Sequence, residues 1–343
     1  MIPIVSIIIP TFNRCKLLQD TIESIFSHNT ATDLFEIIVV DNGSTDETKE
    51  IVEKIQKENS SFNLHYFFDD IPGLLSGRHR GAKESRGEIL SFIDDDVLVS
   101  ETWLEGIIER MNENKQIALL SGPCLPKYES NPPEWLNDFW TKNENGIHCG
   151  WLSLMDFGSE EIEIDPLFVW GLNFTIRKSV FKELKGFHPD NIPKKLQHFQ
   201  GDGETGLSLK AKEKGFKAYY NPRVNLFHQI PNSRLTENYF SQRAFYQGVA
   251  NSYTQIRVEN GLYFTNEKSK SDSVGFFKLV KKSLKKMINS KSKQREFDDS
   301  LAFKFKMSEI EGFNFHQKMF KENEFVRTWT LQNDYLNYDL PII

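Results

Sequence analysis

Long apolar runs are what this 343-residue chain most clearly lacks. No stretch reaches the roughly 18 consecutive apolar residues that a membrane-spanning helix needs. The apolar opening, MIPIVSIIIP, is too short to span and has neither the charged start nor the cleavage site of a signal peptide. Cysteine is scarce: Cys15, Cys124 and Cys149 are widely spaced and form no CxxC and no zinc pattern, so they read as free thiols in a reducing compartment. Positive charge is not in excess either. The formal net charge is -6, which argues against a general nucleic-acid binder. No GxxxxGK[ST] occurs, which excludes a P-loop enzyme. These absences leave a cytoplasmic globular protein as the expectation.

What is present suits a sizeable core. Hydrophobic residues make up 39% and charged residues 26%, both ordinary for a folded domain. The 28 phenylalanines point to a Phe-rich core before they point to any function.

Strand and helix patterns alternate from the start. Val5 to Ile9 is a β-branched run stopped by Pro10, and Leu17, Leu18, Ile22, Ile25 and Phe26 follow at helical spacing. Phe35 to Val40 is a second strand, ending in the turn cluster Asp41 to Asp46, with helical spacing again at Ile51, Val52 and Ile55. Leu64 to Phe68 is a third strand. Gly73 to Lys83 reads as a Gly-rich, basic entry to a helix that Arg86-Gly87-Glu88 closes. Alternation of this kind predicts a parallel sheet with helices on both faces through about residue 100.

The stretch from Ile89 to Asp96 is the most telling. Its apolar run ends in Asp94-Asp95-Asp96, at the strand end where open α/β sheets bind ligands. Three adjacent carboxylates repel one another and are costly to bury unpaired. A divalent cation relieves that cost. On an extended chain Asp94 and Asp96 face one side and can grip one ion, while Asp95 faces the other. Pro10 to Arg14, Asp41, Arg78 and Asp94 to Asp96 all fall at one edge of the sheet. Together they offer a carboxylate for a base N–H, guanidinium groups for phosphate, and a metal site.

Five motifs, in this order, resemble those of the family 2 glycosyltransferases with the GT-A fold: SIIIPTFNR (6–14), EIIVVDNGSTDET (36–48), GLLSGRHRGAKESRGEILSFIDDD (73–96), WGLNFTIRKSVFKELKGF (170–187) and GDGETGLSLKAKEKGFKAYYNPRVNLFH (201–228). Two positions depart from the pattern: His79 stands where the family often has Asn, and Gly201 where it often has Glu. The resemblance implies a GT-A fold, a Rossmann-like and mostly parallel sheet with helices on both faces; the C-terminal hundred residues match it weakly and are expected to form a helical extension. It implies a nucleotide-diphosphate-sugar donor, with a UDP-sugar the commonest choice. Thr11 and Asn13 would lie beside the nucleoside, in a loop with Pro10 and Arg14. Asp41 would accept from the pyrimidine N–H, and Arg78 would face the base or the phosphates. Asp94 would bind ribose, sugar or metal, with Asp95 beside it, and Asp96 would hold a Mn²⁺ or Mg²⁺ ion bridging the phosphates. Trp170, Gly171 and Asn173 would line the donor sugar and acceptor. His228 would reach the metal or the diphosphate.

Asp202 and Glu204 open a helix, where an acid is stabilised as its anion. Asp202 is the expected general base and Glu204 the runner-up; both also read as plain helix caps. A single base and no candidate nucleophile on the opposite face predict inversion by one displacement, by the logic known for hydrolases. The second half otherwise reads as follows. Ile117 to Leu120 is a strand; residues 123–150 are loop-rich; Trp135, Trp140 and Trp151 either stack on sugars or pack a long loop. Trp170 to Phe174 reads as a strand, Leu207 to Lys214 as a helix, and Tyr219 to His228 as one late strand.

From Asn266 the composition shifts to Lys and Ser, and 276–288 forms a basic amphipathic pattern. It reads equally as a membrane-surface helix, on the inner face, or as a packed helix with solvated lysines. The aromatic tail, 313–343, folds back or pairs with another subunit. The expected division is a glycosyltransferase domain over 1–250, its donor half 1–100 and its acceptor half 101–250, followed by an extension over 251–343. The expected activity is transfer of a hexose to a hydroxyl of a glycan or lipid-linked saccharide, as in polysaccharide or cell-envelope biosynthesis. The competing readings are a non-catalytic nucleotide-sugar or glycan binder on the same fold, and a sugar-phosphate nucleotidyltransferase.

Overall fold

A computed structural model describes residues 2–28, 30–263 and 300–337. They form two compact units: Met1–Lys195 with Gly203–Leu235 and Asp334–Ile343, and Leu196–Asp202 with Thr236–Asn333.

The first unit is built on an eight-stranded sheet. Its strands are β1 (Val5–Thr11), β2 (Phe35–Asp41), β3 (Leu64–Phe68), β4 (Ile89–Ile93), β6 (Ile117–Ser121), β11 (Ile162–Ile164), β12 (Asn173–Arg177) and β13 (Lys217–Tyr220). Their spatial order is β11-β13-β6-β12-β4-β1-β2-β3. The β3-β2-β1-β4 half is parallel throughout. Strand β12 inserts antiparallel between β4 and β6, so the sheet is mixed. Side chains alternate across it. Val5, Ile7 and Ile9 join one core with Leu18, Ile22 and Ile25 of helix α1 (Cys15–Phe26), with Val52 and Ile55 of α2 (Thr48–Glu58), and with Trp103, Leu104 and Ile107 of α4 (Trp103–Glu113). The opposite face carries α3 (Leu74–Glu84) and an aromatic cluster of Phe92, Phe174, Phe181 and Phe187. That cluster absorbs part of the phenylalanine excess.

Several local expectations are corrected. Pro10 does not end β1 but is carried inside it, paired with Val40 and past Ile8↔Phe92, the last partner on the β4 side. A residue without an N–H costs least at such a half-paired end. The Gly-rich segment opens a helix as expected and runs on through it: α3 follows Gly73 and stops just before Arg86-Gly87. Its glycines serve packing. A Cβ on Gly77 would lie 3.0 Å from Pro10, and one on Gly81 would meet the side chain of Ile8.

Residues 123–150 are less irregular than their composition suggests. A second sheet runs β5-β14-β7-β10-β9-β8, where β5 is Val97–Val99, β7 Cys124–Tyr128, β8 Thr141–Lys142, β9 Ile147–Cys149, β10 Leu154–Asp156 and β14 Leu226–Ile230. Stretches this short, holding prolines and tryptophans, show no period in sequence. For the same reason 219–228 is not one strand. β13 ends at Tyr220, the turn Asn221 to Asn225 intervenes, and β14 belongs to the other sheet. Trp170-Gly171-Leu172 is a turn before β12, and helix α6 spans Glu204–Glu213.

The second unit is helical. Helix α7 (Glu237–Glu259) lies along α8 (Leu301–Glu322), followed by α9 (Glu324–Thr330). Thr236 and Ser300 cap the two long helices through their hydroxyls. Gly248 and Gly312 mark the close approach: a Cβ on either would press into backbone of the facing helix, with the carbonyl carbons of Glu309 and Phe245 each at 2.8 Å. The basic pattern at 276–288 lies outside the described residues. Among those described, no helix is long and apolar enough to cross a membrane.

Candidate active site

The carboxyl ends of β1, β2 and β4 bring the N-terminal motifs to one edge of the first unit. On β2, Asp41 is buried and each carboxylate oxygen has a partner: Oδ1 accepts from the Ser44 N–H at 2.7 Å and Oδ2 from the Tyr66 hydroxyl at 2.7 Å. Burial and the neighbouring Asp41 push the Tyr66 phenol well above its ordinary value, so it stays a donor. Asn13 takes a positive φ of 54° and bridges to the β2 loop, accepting from the Thr45 N–H at 2.7 Å.

The three aspartates do not behave as an extended strand. β4 ends at Ile93, and Asp95 and Asp96 form a turn into β5. Asp94 and Asp96 therefore meet different partners. Asp94 lies 3.4 Å from the Arg78 guanidinium. Asp95 is buried, accepting from Thr11 Oγ1 at 2.7 Å and from Arg14 at 2.8 Å. Asp96, also buried, pairs with Arg14 at 3.0 Å and Arg234 at 2.7 Å. Burial raises the Asp95 carboxyl above its usual range, and Asp96 beside it adds to this against the pull of Arg14. Burial acts the same way on Asp96, but His228, Arg234 and Arg14 outweigh it and hold that carboxyl well below the usual range.

His228 reaches this turn because β14 pairs with β5, His228 opposite Val97. Its Nδ1 bonds the Leu152 carbonyl at 2.9 Å, and its Nε2 lies 3.6 Å from Asp96 Oδ1 and 2.7 Å from Arg234. With Nδ1 donating to a carbonyl, the Nε2 lone pair accepts from Arg234 in this structure, and a metal on Nε2 would take that arginine's place. Asp96 Oδ1 is buried without a hydrogen-bond partner. An orphan carboxylate oxygen facing an imidazole nitrogen fits a divalent cation, with further ligands from outside the protein. Among the described residues no three His, Cys, Asp or Glu side chains gather into a ready-made cation site.

A second cluster centres on Arg78. It is buried in α3, its guanidinium over the Phe187 ring and between Asp94 and Glu204, the latter at 3.6 Å. Gly171 makes room for it: a Cβ there would fall 2.8 Å from Arg78 Cζ. The glycine thus accommodates an arginine of the protein itself. Glu204 accepts weakly from the Gly171 N–H at 3.3 Å. Burial raises the Glu204 carboxyl, Arg78 opposes this, and Asp190 adds to it.

The remaining expected residues make the following contacts. Pro10 packs on Gly77. Asn173 is fully buried and committed at both ends, accepting from Trp103 Nε1 at 3.0 Å and donating to the Val224 carbonyl at 2.8 Å. Trp170 donates to the Leu167 carbonyl and its ring lies 6.0 Å from His148. Asp202 belongs to the second unit, where Oδ2 accepts from Thr254 Oγ1 at 2.8 Å and Tyr263 OH at 2.9 Å.

The sequence pattern of Glycosyl transferase family 2 matches residues 6–185. The chain belongs to that family. The transferase is 35% identical over 272 residues to the GalNAc(5)-diNAcBac-PP-undecaprenol beta-1,3-glucosyltransferase of Campylobacter jejuni, covering 74% of this chain and 86% of that one. It is 26% identical over 205 residues to the validoxylamine A glucosyltransferase of Streptomyces hygroscopicus subsp. jinggangensis, covering 55% of this chain and about half (48%) of the relative's length. Its fold resembles that of the mannosyltransferase PcManGT from Pyrobaculum calidifontis, solved with GDP-Man and Mn²⁺, with a TM-score of 0.57 at 16% identity over 94% of this chain and 88% of that one. That likeness identifies the GT-A fold.

Sequence reasoning missed several members of this site. Tyr66 holding Asp41 follows from strand register, since Tyr66 lies two residues before Phe68, the partner of Asp41. The Leu152 carbonyl behind His228 carries no signal in the sequence, and neither do Thr254 and Tyr263, the partners of Asp202 within the second unit.

Proposed function

We propose that this transferase moves a hexose from a nucleotide diphosphate, a UDP-sugar first among the choices, to a hydroxyl of a glycan or lipid-linked glycan, with inversion. The observation that carries this reading is the pairing of an orphan Asp96 oxygen with the His228 imidazole, at the same sheet edge as Asp41 and Arg78. The name of the Campylobacter relative, which denotes an acceptor on an undecaprenyl diphosphate, supports the lipid-linked choice. A lipid-linked acceptor would in turn suit action at the inner membrane face.

In this reading Asp41 accepts an N–H of the base, and Thr11, Asn13 and Arg14 border the nucleoside and phosphates. Asp96 and His228 hold a divalent cation, Mn²⁺ suiting an imidazole better than Mg²⁺. The cation, when bound, neutralises charge that develops on the diphosphate leaving group. Arg14 and Arg234, paired with the acids in the free protein, are placed to turn their charge toward the diphosphate. Arg78 orders Asp94 toward ribose or sugar. Asp202 takes the proton from the acceptor hydroxyl as its oxygen attacks the anomeric carbon. Glu204 is the second candidate for this step, favoured by its raised pKa.

Calorimetry with UDP and Mn²⁺ tests the donor side. Asp96→Ala should abolish metal-dependent binding, and unchanged binding would overturn the metal assignment. Asp202→Asn should bind donor normally and lose turnover. Normal turnover, with Glu204→Gln inactive, would move the base to Glu204.

A further inference from the structure

The second unit holds the Asp202 carboxylate in a way the family motifs do not prescribe. Two hydroxyls donate to one oxygen, Oδ2: Thr254 Oγ1 at 2.8 Å and Tyr263 OH at 2.9 Å. All three residues are buried. Neither donor lies within the segment that matches the family pattern, which ends at residue 185.

Local structure explains how both reach the same atom. Thr254 stands near the end of α7. The helix then stops at a left-handed Gly261 (φ 70°), with the Leu262 N–H on the Arg257 carbonyl and the Gly261 N–H on the Val258 carbonyl. This is a Schellman ending, and it reverses the chain. The reversal returns the Tyr263 hydroxyl to the atom that Thr254 already serves. Arg257 secures the ring: its guanidinium lies 4.9 Å from the Tyr263 centroid and donates to the Thr330 and Gln332 carbonyls at 2.8 and 2.6 Å. Helix α7, its ending and the segment after α9 are thus assembled around one carboxylate.

A base must be ionised and aimed. Two donors on one oxygen favour the anion and fix the carboxylate plane. We propose that Thr254 and Tyr263 are positioning residues for Asp202, and that the C-terminal helical region thereby serves the chemical step. This rests on the reading of Asp202 as the base.

The test uses the full chain and slow hydrolysis of whichever nucleotide sugar binds best in a thermal-shift screen with Mn²⁺. Thr254→Val and Tyr263→Phe, each deleting one hydroxyl with little change of shape, should lower kcat about 10- to 100-fold, the rate equivalent of one hydrogen bond to a charged group. The donor KM should stay within about twofold. Thr254→Ser should restore kcat to within a few-fold. In an Asp202→Asn background, Thr254→Val should add no further loss in single-turnover measurements. If Asp202→Asn is inactive yet both hydroxyl deletions turn over normally, the positioning role is wrong and the base assignment stands. A further loss in the Asp202→Asn background, or failure of Thr254→Ser to rescue, would show that the hydroxyls act on the fold generally and also sink the proposal. Normal turnover by Asp202→Asn itself would remove the base reading first.

Discussion

Gly171→Ala probes whether Arg78 is held as rigidly as its contacts imply. A methyl group at this position would lie 2.8 Å from Arg78 Cζ and 2.9 Å from Nη1, against the 3.5–4.0 Å at which such atoms rest comfortably. The guanidinium must retreat by about 1 Å or more. A flexible arginine tip on a surface would do so at little cost. This one is buried over Phe187 and spans Asp94 at 3.4 Å and Glu204 at 3.6 Å. Overpacking a filled site costs about 1–3 kcal/mol. Weakening an ion pair adds to this, at the low end of its about 1.5–3 kcal/mol range because both carboxylates are partly solvated. The expected loss is about 2.5–4.5 kcal/mol in urea unfolding, with weaker UDP binding alongside. Arg78→Ala empties the space, so adding Gly171→Ala to it should cost nothing further. Stability of Gly171→Ala within about 0.5 kcal/mol of the parent, or simple additivity in the double variant, would refute the reasoning.

The helix pair of the second unit depends on glycine more strictly, because backbone opposes backbone. Gly248→Ala or Gly312→Ala should destabilise that unit by about 3 kcal/mol or more, read as earlier loss of amide protection in α7 and α8; unchanged protection would contradict the close approach. Acid should weaken both units through two histidines kept neutral. Burial lowers His79 to about 3 and His316 to about 4. Both folded values lie below the unfolded value of about 6.5, so this stability is fully present above that pH and is lost as pH falls toward 4, at up to about 1.4 kcal/mol per unit for each histidine. His79→Asn should flatten the pH dependence of the first unit's unfolding midpoint across that window, and an unaltered slope would count against it. Tyr335 is fully buried in the first unit, its carbonyl 3.1 Å from His79 Nδ1. Tyr335→Ala should cost about 3–5 kcal/mol, as other aromatic truncations do, and a much smaller effect in urea unfolding would mean that the site collapses.

Much of the fold was legible because its signals are local. Runs such as Val5–Ile9 and Phe35–Val40 can be little other than buried strands, and turn clusters and helical spacing separate them. The second sheet was not legible, since strands of two or three residues carry no period and owe their existence to partners far along the chain. Site residues divide the same way. Asp41, Arg78 and Asp94 to Asp96 stand at strand ends or on the helix beside them. Asn173, by contrast, is buried, and its side chain bonds Trp103 and the Val224 carbonyl, partners that no spacing in the sequence announces.

The sequence by itself determined the family, the alternation of strand and helix, and the edge on which the acids and arginines gather. Periodicity and motif order are properties of the chain read in line. Only the tertiary structure decided how the three aspartates divide: Asp94 to Arg78, Asp95 to Thr11 and Arg14, Asp96 to Arg234 and His228. That division follows from a turn replacing an extended strand after Ile93, and from β14 pairing with β5 so that a histidine more than a hundred residues away stands beside the last of them. Charges sort by distance in space, and no spacing in the sequence encodes it.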